Sequence, residues 1–194
     1  MREFIYFSKS ARTSGNWEDL MKAGRMDIVC HAVIHSFFVS NAMRDDVKLH
    51  LVFYGAPDPP KHLEITNAGA VSKKDVSGLI QRMLYKYRQG KKVEAFPGCF
   101  IEKKDLLTLV RELKKEGKKI FILDKKGKDI RQLNLKPNED NVFIIGDHEG
   151  LLPGEKKLLK KEEAMPISLH RHIMYLASQA IVLLQGELDR AIMI

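Results

Sequence analysis

Cysteine is scarce in this sequence. The two present, Cys30 and Cys99, lie in apolar surroundings and lack the CxxC spacing of a zinc or redox motif. They read as reduced, buried small hydrophobes of a cytoplasmic protein. Long apolar runs are missing as well. No stretch approaches the ~20 apolar residues of a membrane span. The opening MREFIYFSKS has no leader-like apolar region and reads as a first strand, so no membrane association is expected. Nucleotide fingerprints are absent too. No GxGxxG opens a helix after a strand, and there is no Walker lysine. A nucleotide-like cofactor would need another kind of grip. With no repeat, low-complexity tract or linker, residues 1–194 read as a single domain.

What the chain does have is charge and pattern. The formal net charge is +8, which suggests a polyanionic partner, with nucleic acid the leading candidate. Strand-like and helix-like patterns alternate, which predicts an α/β fold with a largely parallel sheet. Residues 3–7 read as a strand. A long loop follows, carrying Arg12, Thr13, Asn16, Trp17, Asp19 and Arg25. Loops of that length are often functional, and Trp17, Leu20 and Met21 are expected to pack down. A helix is predicted from Asp27 to about Ala42, with Asp27 at its positive end as cap or dipole partner. Asp27, His31 and His35 share one face of it. HxxxH without a third ligand is a weak metal motif, so this stripe is expected to face a cleft, and no metal is expected.

Strands are predicted at 47–54, 62–66, 99–101 and 119–124, and amphipathic helices at 74–88 and 104–116. Residues 91–98 read as a basic turn region and 125–131 as a basic loop. The last quarter organises the rest. Residues 142–145 form a continuous apolar run, as expected of a strand buried on both faces. Gly146, Gly150 and Gly154 follow, so backbone can come close to a ligand. Pro153 can open a short helix. A second short strand at 164–167 runs through Ser168 and Leu169 toward a final apolar helix. Ligands bind outside the carboxyl ends of strands in such sheets.

GDHEGL after a hydrophobic strand, then PISL before an apolar helix, resembles the SPOUT methyltransferases. That resemblance implies helices on both faces of the sheet, a C-terminal deep trefoil knot, and S-adenosylmethionine bound in the knot. Three segments are more specific: GRMDI at 24–28, MRDDV at 43–47 and GDHEG at 146–150. With them, the chain resembles the archaeal tRNA pseudouridine-54 N1-methyltransferases, the TrmY family, over essentially its whole length. The resemblance implies a homodimer that methylates N1 of pseudouridine in the T-loop of tRNA. It implies a cofactor site at Leu123, Gly146, Ile167, Ser168, Leu169 and Ala180, gripped mostly by backbone groups. Family members often carry a cysteine near the Ala180 position. It also implies an RNA side at Arg12, Arg25 and Arg44, beside Asp27. For Arg44 alone, an ion pair with Asp45 or Asp46 is the simpler expectation.

Asp27 is the candidate acceptor for the N1 proton. Arg25 is the candidate donor to the ring carbonyls. The final helix is apolar around most of its circumference from Leu176 to Leu184. One face is expected to serve the core and another, including Ile181, a second subunit. Two other readings stand beside this one: methylation of ribosomal RNA, and a non-catalytic RNA-binding or ribosome-assembly protein of the same fold.

Overall fold

The computed structural model describes all residues except Asn67, Asn134, 136–138, 171–172 and 193–194. In chain order the elements are β1 (Arg2–Ser8), α1 (Met26–Phe37), β2 (Val47–Phe53), β3 (Lys61–Ile65), α2 (Val76–Tyr85), β4 (Val93–Phe96), β5 (Cys99–Glu102), α3 (Leu106–Lys115), β6 (Lys119–Asp129), β7 (Asn141–Gly146), α4 (Pro153–Lys161), β8 (Met165–Ser168) and α5 (Ala177–Ile192). The strands form one eight-stranded sheet in the order β4-β5-β3-β2-β1-β7-β6-β8. The five from β2 to β8 in that order run parallel. The remaining three join antiparallel, as an arm on one edge.

β1 and β7 sit at the centre because their sequences are apolar on both sides. Phe4 and Tyr6 point into a core shared with α1, α2 and α5, while Ile5 and Phe7 point into one shared with α3 and α4. Period-two alternation thus splits one strand between two layers, and helices cover both faces as expected. Cys30 and Cys99 are free and buried. Among the described residues, no helix is long and apolar enough to cross a membrane.

Four sequence expectations need correction. Residues 93–96, read as turn, form β4. Gly98, at φ 72°, turns the chain back into β5, and the Lys86 ammonium lies 4.1 Å over the Phe96 ring. Residues 125–129, read as loop, continue β6, because Lys128 and Asp129 find a second set of partners on Ile167 and Ser168. α1 stops at Phe37 rather than near Ala42, because Phe38 turns extended and bridges to Met43. In the long loop Trp17 and Leu20 pack on the core, but Met21 stays 62% exposed.

β8 is held twice by the same strand. Phe121–Leu123 pair with Met165–Ile167, and then Lys128 and Asp129 pair with Ile167 and Ser168. Gly127 lies between these two grips. A Cβ there would stand 2.4 Å from the Ile167 nitrogen, so only glycine fits.

Candidate active site

The carboxyl ends of β7 and β8, and the middle of β6 where its pairing with β8 breaks after Leu123, open into a cavity of about 220 Å³. Leu123, Gly146, Ile167, Ser168, Leu169 and Ala180 all line it. The six residues expected of a cofactor site are therefore brought together. Its wall is mostly apolar side chain and strand-end backbone. Gly146 is obligatory, since a Cβ would sit 2.4 Å from the carbonyl carbon of Gly150. The Ser168 hydroxyl is buried without a hydrogen-bond partner. A buried hydroxyl unpaired among the described residues is costly, and Ser168 is a lining residue of the cavity. Apolar side chains that can pack on a base, with a few polar residues among them, fit S-adenosylmethionine.

Two carboxylates on the wall were missed from the sequence. Asp124 is held by Lys156 at 3.3 Å. Asp147 is buried and accepts from the Ser8 hydroxyl at 2.7 Å and from the Glu149 N–H at 2.9 Å. The available signal for Asp147 was its place directly after Gly146 in GDHEG.

Asp147 also leads out of the cavity. Ser8 ends β1, which runs beside β7 with Phe7 opposite Gly146. The Ser8 oxygen accepts from the Ala11 N–H at 3.0 Å, and the Arg12 N–H donates to the Ala23 carbonyl at 3.1 Å. The next two residues, Gly24 and Arg25, both have left-handed backbone, at φ 72° and 61°. At Gly24 a Cβ would overlap the Ser10 carbonyl oxygen at 1.7 Å. Arg25 is not glycine, and such conformations cost about 1–2 kcal/mol and gather at functional sites.

Arg25 stands at the cap position of α1 and makes no side-chain cap bond. Its guanidinium instead forms a fork on Asp27, Nε to Oδ1 at 3.0 Å and Nη2 to Oδ2 at 2.9 Å. Asp27 therefore lies in the first turn rather than at the cap. The Arg25 hydrogen bonds hold its carboxyl below the ordinary range. Tyr6 is fully buried within the fields of both Asp147 and the Arg25–Asp27 pair. Burial raises its pKa first, followed by the Asp147 and Asp27 carboxylates.

Arg12 and Arg25 share one loop cluster, and Arg12 is exposed and donates to the Ser14 hydroxyl at 3.1 Å. Arg44 is elsewhere. The twelve residues of α1 separate it from Arg25 by about 18 Å at ~1.5 Å rise per residue. Its fork closes on Asp189 of α5 at 2.7 and 3.0 Å, not on Asp45 or Asp46, and Asp46 pairs with Arg2. His31 and His35 are exposed on α1.

The family model described as "Putative SAM-dependent RNA methyltransferase" matches residues 1–193. The chain belongs to this family. Curated relatives agree over nearly the full length. A protein of Methanosarcina acetivorans is 37% identical over 98% of this chain and 92% of its own. One of Methanococcoides burtonii is 36% identical over 98% and 96%. One of Methanopyrus kandleri is 33% identical over 97% and 93%. All three are named tRNA (pseudouridine(54)-N(1))-methyltransferase. The crystal structure of Archaeoglobus fulgidus Nep1 bound to S-adenosylhomocysteine superposes with TM-score 0.70, covering 100% of this chain and 99% of that one at 14% identity. At that identity the likeness is one of fold.

Proposed function

We propose that this family member methylates N1 of pseudouridine 54 in tRNA, with S-adenosylmethionine as donor, in the cytoplasm. The carrying observation is the cavity bordered by three adjacent parallel strands, with the Arg25–Asp27 pair in the loop that follows the neighbouring β1. Full-length relatives bearing that name support the substrate. The cofactor supplies an electrophilic methyl group. Leu123, Ile167 and Leu169 hold it through apolar contact and backbone groups, and the Ser168 hydroxyl gains its missing partner.

Asp27 accepts the N1 proton. Paired with Arg25 it is a weak base, because its carboxyl is held down. On RNA binding Arg25 turns to the ring carbonyls, where charge develops. Asp27 then recovers basicity at the moment it is needed. Arg12, exposed in the same cluster, meets phosphate. Arg44 acts on RNA only if it leaves Asp189.

The knot belongs to this reading as well. Its support is the double grip of β6 on β8 and the contact of Gly127 with the Ile167 backbone. So does the homodimer, with one change. Ile181 is fully buried in its own core. The face left for a partner is Leu176, Val182 and Leu183, at 52%, 47% and 39% exposure, next to Ile173 and Met174 on the cavity rim. Light scattering should give twice the 22.2 kDa chain mass, and Val182→Asp should reduce it to the single-chain mass.

The deciding experiment incubates the protein with labelled cofactor and pseudouridine-containing tRNA, then identifies the methylated nucleoside by mass spectrometry. Label at N1 of pseudouridine 54 is expected. Label confined to ribosomal RNA fragments, or none at all, defeats the assignment.

A further inference from the structure

A second polar constellation lies far along the sheet from the cavity. A row of side chains crosses four adjacent strands: Glu3 on β1, His50 on β2, His62 on β3 and Glu102 on β5. His50 Nε2 meets Glu3 Oε1 at 2.7 Å, and His62 Nδ1 meets Glu102 Oε1 at 3.1 Å. The two inner ring nitrogens, His50 Nδ1 and His62 Nε2, face each other at 2.8 Å. Both imidazoles are about 1% exposed. Glu64, paired with His50 across β2 and β3, brings a carboxylate onto the same face. One ligand atom from each of His50, His62 and Glu64 lies within 4.8 Å of the others.

Carboxylates only accept hydrogen bonds. Each outer nitrogen therefore carries its hydrogen toward a glutamate, and the two inner nitrogens turn lone-pair positions toward one another. A hydrogen bond between them at 2.8 Å needs one further proton shared by the two rings, and that proton leaves to solvent when an ion takes its place. Imidazoles whose far nitrogen is anchored on a carboxylate, with near nitrogens converging, are the arrangement that orients metal-binding histidines. Such anchoring fixes the tautomer and makes the inner nitrogen a better donor. Nothing in the proposed methyl transfer uses it, and none of the three residues lines the cavity.

We propose that His50 Nδ1, His62 Nε2 and a Glu64 carboxylate oxygen form a binding site for a divalent transition cation of the zinc class. Two imidazoles and one carboxylate suit zinc and disfavour magnesium or calcium, which prefer oxygen ligands. With zinc–nitrogen bonds of ~2.0–2.1 Å, a tetrahedral ion needs the nitrogens roughly 3.3 Å apart. The rings must part by about half an ångström from the present 2.8 Å, as the ion displaces the bridging hydrogen. Entry is along Glu64, whose side chain is 14% exposed and held by Lys92 at 3.1 Å. A water completes the shell. The bound ion would cross-link β2 and β3, where the parallel sheet gives way to the antiparallel arm.

The test uses the full chain, freed of metal by chelation and then titrated with Zn²⁺ by calorimetry and with Co²⁺ by absorption. About one equivalent should bind, with tetrahedral cobalt bands and a raised melting temperature. Glu64→Gln should bind at least about tenfold more weakly, with its circular dichroism unchanged. His50→Gln should abolish binding, and Glu64→Gln carries the test where His50→Gln does not fold. The exposed histidines are the rival site, so the double variant His31→Ala, His35→Ala should bind like the parent. No uptake by the parent chain, undiminished uptake by Glu64→Gln, or loss of uptake in the His31/His35 variant would each overturn the proposal.

Discussion

At β7, β6 and β8 three strands run the same way and border one cavity, at the ends of β7 and β8 and at the break in β6 after Leu123. At β2, β3 and β5 neighbouring strands run in opposite directions, and side chains rather than backbone make the polar feature. There every ring nitrogen of His50 and His62 has a partner inside the chain. The first region keeps an open cavity. The second is already satisfied, and a cation would have to displace what is there. Parallel strands that end together leave a crevice beyond their ends, while the antiparallel arm offers its chemistry through side chains that cross the strands.

The contrast can be broken most forcefully at Gly127. Valine there would press on the Ile167 backbone and should cost about 2–3 kcal/mol in denaturant unfolding. Cofactor binding should be lost with it, since Ile167 and Ser168 line the cavity. Asp27→Asn separates holding from reacting. Turnover should fall about a hundredfold or more, while calorimetry shows S-adenosylmethionine bound as before. Next comes a crossed pair of variants. Glu102→Gln removes the carboxylate that anchors His62 and should cost about 1–3 kcal/mol of stability, leaving cofactor affinity alone. Ser168→Ala should do the reverse, keeping stability and weakening the cofactor by about 1 kcal/mol. If both variants shift the same quantity, the two regions are not built on different terms.

The smallest effect is a pH dependence at Asp189. Arg44 and then Arg2 hold its carboxyl below the ordinary 3.8. A depressed carboxylate stabilises the fold above its unfolded value and stops doing so as pH falls through the lower folded value. Acid unfolding below about pH 4 should therefore be less steep in Asp189→Asn, read by circular dichroism across that limb.

The parallel half was largely legible because its signals are local. An apolar run, a glycine just past it and a short second strand name the cavity walls, and the resemblance supplied Leu123 and Ala180 from farther away. The long-range features were not legible. Lys128 and Asp129 look like loop residues until Ile167 pairs with them. Arg44 has acidic neighbours at 45 and 46, yet its partner is 145 residues away. His50 and His62 are separated by a turn rich in proline, and their anchors Glu3 and Glu102 come from opposite parts of the chain. Charge pairs across a sheet leave no spacing to read. Pro97 and Gly98 advertised a turn correctly, but the lysines before it masked the strand that the turn serves.

The placement of the cavity has a bearing on synthesis. Its described lining begins at Leu123 and ends at Ala180, while the candidate reacting pair lies at Arg25 and Asp27. A ribosome therefore delivers the Arg25–Asp27 loop early and the cavity late. Until β8 has passed into the double grip of β6, the cavity lacks Ile167, Ser168 and the α5 wall, and α1 lacks the α5 residues that share its core, so the pocket closes only when nearly the whole chain has been made.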